Sequence, residues 1–162
     1  AFIHLDSSHV GFEERAQDFE HTARSLGVGV AILEDDRTGS PSSTIDPEWI
    51  ATQVDRLAAL PARPTGVFLP RVSAAGTLYR ALRSRGIEPG RDVTVMTCDQ
   101  DPILSALDPQ PATFDVQPDV IGQSAAKLLL WHIQDRAAHV RTNQLIEPLL
   151  VEPEVYDTPI KE

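Results

Sequence analysis

Short apolar runs alternate with longer amphipathic stretches along this chain, and this alternation is the feature that most constrains its fold. Six runs are typical of buried β-strands, and they lie at Phe2–Leu5, Val28–Leu33, Gly66–Leu69, Val93–Thr97, Ala112–Val116 and Leu145–Val151. Between them, apolar residues recur every three or four positions, as on one face of an α-helix. The alternation predicts an α/β fold, in which a parallel sheet is flanked by helices and joined by right-handed crossovers.

Residues that cap helices or interrupt strands mark the predicted boundaries. The first helix is predicted over Val10–Leu26, and Gly27 follows where a C-terminal cap glycine belongs. Asp46 and Pro47 predict another helix start, because aspartate is a favoured N-cap and proline suits the first helical position. Pro148 interrupts the last apolar run and favours an edge position for that strand, because proline cannot donate a ladder hydrogen bond.

Charge and cysteine content disfavour several classes of partner. The chain of 162 residues has a formal net charge of −10, which argues against nucleic acid or an anionic membrane as a direct partner. No apolar run approaches the roughly 20 residues that a membrane-spanning helix needs. The single cysteine, Cys98, allows neither an intrachain disulfide nor a zinc site built on several thiolates. A reducing, cytoplasmic location is therefore expected.

Polar side chains follow the predicted strands at the edge where ligands of open parallel sheets bind. Asp6 and Ser7 follow the first strand, Arg71 the third and Asp99 the fourth, while Arg15 lies early in the first helix. Guanidinium groups bind pairs of oxygens, and a carboxylate accepts from adjacent hydroxyls. The pattern predicts a site for a polyhydroxylated or anionic small molecule. The alternative is that these groups are ordinary surface charges that pair with one another.

Catalytic and cofactor motifs are weak. The five histidines have no metal-ligand spacing, and Cys98 has no histidine close in sequence that could activate it. The Gly27-Val28-Gly29 sequence precedes a predicted strand, whereas a dinucleotide-binding loop follows one. The sequence therefore predicts neither an enzyme nor a cofactor.

Several segments, in order, resemble the sensor domain of the lactose-repressor (LacI/GalR) family. Residues 63–69, RPTGVFL, resemble the family's RPTAVF strand, and residues 81–95, ALRSRGIEPGRDVTV, are similar to ALRERGLRVPEDVSV. Cys98 and Asp99 stand where the family has GFDD. Residues 107–114, LDPQPATF, resemble LDPPLTTV, and residues 121–130, IGQSAAKLLL, resemble IGRRAAELLL.

The resemblance implies a fold and a domain organisation. It implies a three-layer, flavodoxin-like or Rossmann-like lobe of the type I periplasmic-binding-protein class. Residues 1–111 would form the C-terminal lobe, 112–134 a crossover strand and helix of the other lobe, 143–152 a returning edge strand and 153–162 a tail. Most of the N-terminal lobe and a helix-turn-helix DNA reader would then be missing from this chain.

The resemblance also implies a function. The chain would sense an effector for a cytoplasmic transcriptional regulator that is a homodimer and contacts DNA only through the missing domain. Arg15 and Asp99 match family positions that bind effector hydroxyls. The family's Asn-Asp after the third strand is replaced by Arg71-Val72, which favours a sugar phosphate or sugar acid over a plain sugar. Val116 stands where the family often has glutamine, so one polar contact is lost.

Two alternatives remain open at the level of sequence. A sugar-binding protein of a transport system would have the same fold, and an export signal upstream would favour it over a regulator. A small flavodoxin-like enzyme would show turnover or a bound cofactor. The segment 112–134 carries an apolar helix face, and without a second lobe we expect two chains to bury it mutually.

Overall fold

Six strands form one sheet in the structure, a computed structural model that describes residues 1–4, 10–34, 45–134 and 141–153. The strands are β1 (Phe2–His4), β2 (Ile32–Glu34), β3 (Gly66–Leu69), β4 (Thr94–Cys98), β5 (Ala112–Asp115) and β6 (Leu149–Val151). The α-helices are α1 (Val10–Ser25), α2 (Pro47–Ala58), α3 (Ala75–Arg83) and α4 (Pro118–Gln134). Short 3₁₀ helices lie at Val72–Ala74 and Pro102–Ala106.

The strand order is β2-β1-β3-β4-β5-β6, with β6 antiparallel to β5 and all other neighbours parallel. The predicted α/β class is confirmed, and so is the edge position of the last strand. The predicted strand over Val28–Leu33 was wrong at its start, because β2 begins at Ile32, the partner of Phe2 in β1. The last strand is also shorter than predicted and begins directly after Pro148.

The two faces of the sheet are covered differently, as the alternation of side chains along each strand requires. One face packs against α2 and α3 to form the main hydrophobic core. This core includes Ile3, Leu33, Val67, Leu69 and Val95 from the strands and Ile50, Val54, Leu57, Leu78 and Leu82 from the helices. A fully buried side chain of this kind contributes about 1.5–3 kcal/mol relative to an exposed one.

An aromatic cluster lies on the opposite face, beneath α1. Phe2 stacks on Phe68 at a centroid distance of 5.4 Å, and Phe19 of α1 lies 5.5 Å from Phe2. Phe114 of β5 extends the cluster, 6.3 Å from Phe68. These rings join three strands to α1 and so fix the height of that helix above the sheet.

The capping predicted for α2 is confirmed. The Asp46 carboxylate accepts hydrogen bonds from the backbone N–H of Glu48, at 3.0 Å, and of Trp49, at 3.4 Å. Pro47 occupies the first helical position. A two-pronged ion pair between Arg85 and Asp55 then ties α2 to the chain that follows α3, with Nη2 to Oδ2 at 2.7 Å.

The segment 112–134 divides into two parts with different surroundings. The strand β5 pairs with β4 inside this sheet, whereas the sequence prediction grouped it with another lobe. The helix α4 buries none of its residues. Its exposed apolar side chains are Val120, Ile121, Leu129, Leu130, Trp131 and Ile133. The assignment of α4 to a second lobe and mutual burial by two chains both stay predictions.

Candidate functional site

The register of β3 and β4 brings two predicted site residues to one edge of the sheet. Leu69 of β3 is the partner of Thr97 in β4. Arg71 and Asp99 each lie two residues beyond that pair, past the carboxyl ends of neighbouring parallel strands. Both side chains are half-buried. We call this edge, together with the first turns of α1, the rim.

Phe12 joins the two arginines of the rim. It lies in the first turn of α1 and is half-buried. The guanidinium carbon of Arg15, one turn further along the helix, lies 5.6 Å from the centre of the Phe12 ring. The guanidinium carbon of Arg71 lies 5.6 Å from the same ring centre. The two cations therefore lie no farther apart than twice that distance, although they come from separate elements.

The backbone holds Asp99 in a defined position. Its φ of 77° is in the left-handed region, which aspartate tolerates better than most residues. Its N–H donates to the carbonyl oxygen of Phe114 at 2.8 Å, and its own carbonyl accepts from the Thr113 hydroxyl at 2.8 Å. The carboxylate therefore projects from a backbone that β5 fixes on both sides.

Cys98 is the buried neighbour of this carboxylate. Its Sγ lies 3.8 Å from Oδ1 of Asp99. Burial raises the pKa of the Cys98 thiol, and the Asp99 charge raises it further, while the Arg15 guanidinium lowers it. Burial and the neighbouring carboxylate thus act against the thiolate form of Cys98, which is the form that a nucleophile needs.

His4 ends β1 on the same side of the sheet. Only 1% of it is exposed, and its Nε2 lies 3.9 Å from a carboxylate oxygen of Glu13. Within the described part of the chain, Nε2 has no hydrogen-bond partner.

The other predicted site residues are less informative. Asp6 and Ser7 lie outside the described residues. Val116 follows β5 and is half-buried. Sequence reasoning did not single out Phe12 as a residue of the site. Phe12 and Arg15 are three residues apart on a helix, a spacing that places two side chains on the same face. The sequence therefore indicated the contact of Phe12 with Arg15 but not its contact with Arg71.

The described residues offer little for other chemistry. No group of three or more His, Cys, Asp or Glu side chains among them could hold a metal ion. Nor is any helix in the described ranges long and apolar enough to cross a membrane.

The sheet order and the charged rim define the class of this chain: an open, mostly parallel α/β lobe with its polar groups beyond the strand ends. A family model described as the periplasmic binding protein-like domain matches residues 1–152. The chain belongs to the periplasmic binding protein-like domain family. Comparison with curated protein sequences found no match.

Solved structures with the same fold include LacI-family regulators. A LacI-family regulator from Rhizobium etli has 20% identity and a TM-score of 0.76, over 94% of this chain and 54% of its own. The Lac repressor bound to ONPG has 20% identity and a TM-score of 0.74, over 94% of this chain and 44% of its own. The CelR–cellobiose complex has 19% identity and a TM-score of 0.74, over 95% and 45%.

The chain spans about half the length of the solved structures that it matches, including 53% of one from Actinobacillus succinogenes and 52% of a LacI regulator from Bacillus cereus. At these identities the likeness shows the fold.

Proposed function

We propose that this chain is the C-terminal part of the effector-sensing domain of a LacI-type transcriptional regulator. The observation that carries the proposal is the rim, where Arg15 and Arg71 meet on Phe12 beside the fixed carboxylate of Asp99. The fold shared with LacI-family regulators supports it. Two of the solved structures are named as complexes with ONPG and cellobiose, which are sugar ligands.

The chemistry of the rim suits a small sugar-like effector. A carboxylate such as Asp99 accepts hydrogen bonds from adjacent hydroxyls, and guanidinium groups donate to oxygen pairs. Hydrogen bonds to charged groups contribute about 1.5–3 kcal/mol each when water is excluded. In the proposed regulator, a second lobe closes over the rim and excludes that water.

Lobe closure couples the effector to DNA. An effector that contacts both lobes binds the closed arrangement more tightly and shifts the population towards it. The shift changes the spacing of DNA-binding domains attached to the other lobe, and the coupling is reciprocal. The exposed apolar face of α4 is the surface on which we place that second lobe. The regulator is then a cytoplasmic homodimer that contacts DNA through a domain outside this chain.

The test uses the complete gene product. A DNA site is first selected from a random duplex library, and sugars, sugar acids and sugar phosphates are then screened for their effect on DNA binding in a gel-shift assay. We expect at least one compound to change the DNA affinity. The Asp99→Asn protein should need at least tenfold more of that compound, because a charged hydrogen-bond acceptor is lost.

The matched control is Asp18→Asn, an exposed aspartate on α1. It should respond like the unmodified protein. Absence of DNA binding by the complete gene product would contradict the proposal. So would an equal response of the Asp99→Asn protein and the unmodified protein to the active compound.

A further inference from the structure

We infer that the effector carries a negative charge, a carboxylate or a phosphate, and that Arg15 and Arg71 bind this group together above Phe12. The inference rests on the proposed function and names the class of its ligand: a small polyol with one anionic group. It starts from the two cation–ring distances of 5.6 Å.

Two positive charges close to one ring repel each other. The Phe12 ring attracts each guanidinium through its quadrupole and so offsets part of this repulsion. An anion placed between the two groups attracts both, which outweighs their repulsion, and accepts hydrogen bonds from both. Within the described part of the chain, Arg15 takes part in no salt bridge, so its charge is available to a ligand.

The two arginines are held by different elements, which matters for an anion site. Arg15 lies on α1, whose height is fixed by the aromatic cluster. Arg71 lies directly before the 3₁₀ helix Val72–Ala74, with extended backbone dihedrals. Two guanidinium groups that approach from separate elements can bind different oxygens of one carboxylate or phosphate. The half-buried position of Arg71 strengthens its interaction with an anion, because screening by water is weaker there.

Asp99 fixes the orientation of this ligand. A carboxylate repels an anionic group and accepts hydrogen bonds from hydroxyls. A sugar acid or sugar phosphate therefore lies with its anionic group at Arg15 and Arg71 and with hydroxyls towards Asp99. A neutral sugar offers the two guanidinium groups hydroxyl acceptors but no negative charge.

Isothermal titration calorimetry on the complete gene product tests the inference with matched probes. The probes are D-glucose with D-glucuronate and D-glucose 6-phosphate, D-galactose with D-galacturonate, and D-ribose with D-ribose 5-phosphate. We expect at least one anionic probe to bind tenfold or more tightly than its neutral counterpart. The uronates and the phosphates then distinguish a carboxylate from a phosphate ligand.

Variants show whether the rim holds the anion. Arg71→Gln should weaken binding of the preferred anionic probe about tenfold or more and abolish its preference over the neutral sugar. Arg71→Lys keeps the charge without the guanidinium fork and should give an intermediate affinity. Arg80→Gln, at an exposed arginine on α3, is the control and should bind like the unmodified protein. Thermal unfolding confirms that each variant is folded.

The failures of the two proposals are distinguishable. If a neutral sugar binds as tightly as its anionic counterparts, or if Arg71→Gln and Arg15→Gln leave the preference intact, the charged-effector inference is wrong and effector sensing stands. If no anionic probe binds, the inference is wrong as well. If, in addition, no sugar of either kind changes DNA binding, the proposed function fails with it.

Discussion

Two paired threonines in the sheet should respond in opposite directions to the same substitution. Thr97 of β4 and Thr113 of β5 are register partners, and both are almost completely buried. The Thr113 hydroxyl donates to the carbonyl oxygen of Asp99 at 2.8 Å. The Thr97 hydroxyl has no hydrogen-bond partner within the described part of the chain. Valine matches threonine in shape and replaces the hydroxyl by a methyl group.

The magnitudes follow from the cost of buried polar groups. A buried group without a partner costs about 1–3 kcal/mol, so Thr97→Val should increase the free energy of unfolding by about 1 kcal/mol or more. Thr113→Val removes a hydrogen bond worth about 1 kcal/mol and should decrease that free energy by a similar amount. For a domain of this size, 1 kcal/mol corresponds to a Tm change of about 2–4 °C.

Differential scanning calorimetry of the complete gene product, at one protein concentration and one pH, measures both changes. The difference between the two variants is more informative than either value, since valine raises β-propensity equally at both positions. A Thr97→Val protein that unfolds at a lower temperature than the unmodified protein would refute the reasoning. So would two variants that shift Tm in the same direction by the same amount.

Three further predictions concern stability. In urea denaturation, Asp46→Ala should lower the free energy of unfolding by about 1 kcal/mol, because the α2 cap is lost. Asp46→Asn should retain most of the stabilisation from the cap, because asparagine is also a favoured N-cap residue. The Arg91 side chain lowers the pKa of Asp92 to about 2, so the stability from this pair is present above pH 4 and is lost as the pH falls towards 2. Unfolding of Asp92→Asn should depend less on pH in this range. Gly90→Ala should destabilise by about 1 kcal/mol or more, measured by urea denaturation, because φ is +83° and the new Cβ would lie 2.5 Å from Cγ of Pro109.

Much of the fold was predictable from local signals. The bounds of β3 match the sequence prediction, because a run of four residues that ends before a proline marks them. The start of β2 did not match, because Val28 is apolar and yet 57% exposed. Whether an apolar residue belongs to a strand depends on where the neighbouring strand of the sheet begins. The residues around Val28 carry no information about that position.

The candidate site was predictable in part. The edge shared by Arg71 and Asp99 follows from strand alternation, since parallel strands end on the same side. The contact of Phe12 with Arg71 was not predictable, because it depends on the rotation of α1 about its own axis relative to β3. That rotation is set by tertiary packing of the aromatic rings. Whether Arg15, Arg71 and Asp99 bind a ligand stays a prediction.

The antiparallel pairing of β5 and β6 has a mechanical consequence. The chain leaves the sheet through β5 and returns through β6, so the two connections to α4 start side by side. The side-chain amide of Gln117 donates to the carbonyl oxygen of Glu147 at 2.6 Å and ties the connections together just beyond the sheet. We expect this tie to restrict the motion of a second lobe carried by α4 relative to the sheet, and Gln117→Ala to loosen that restriction.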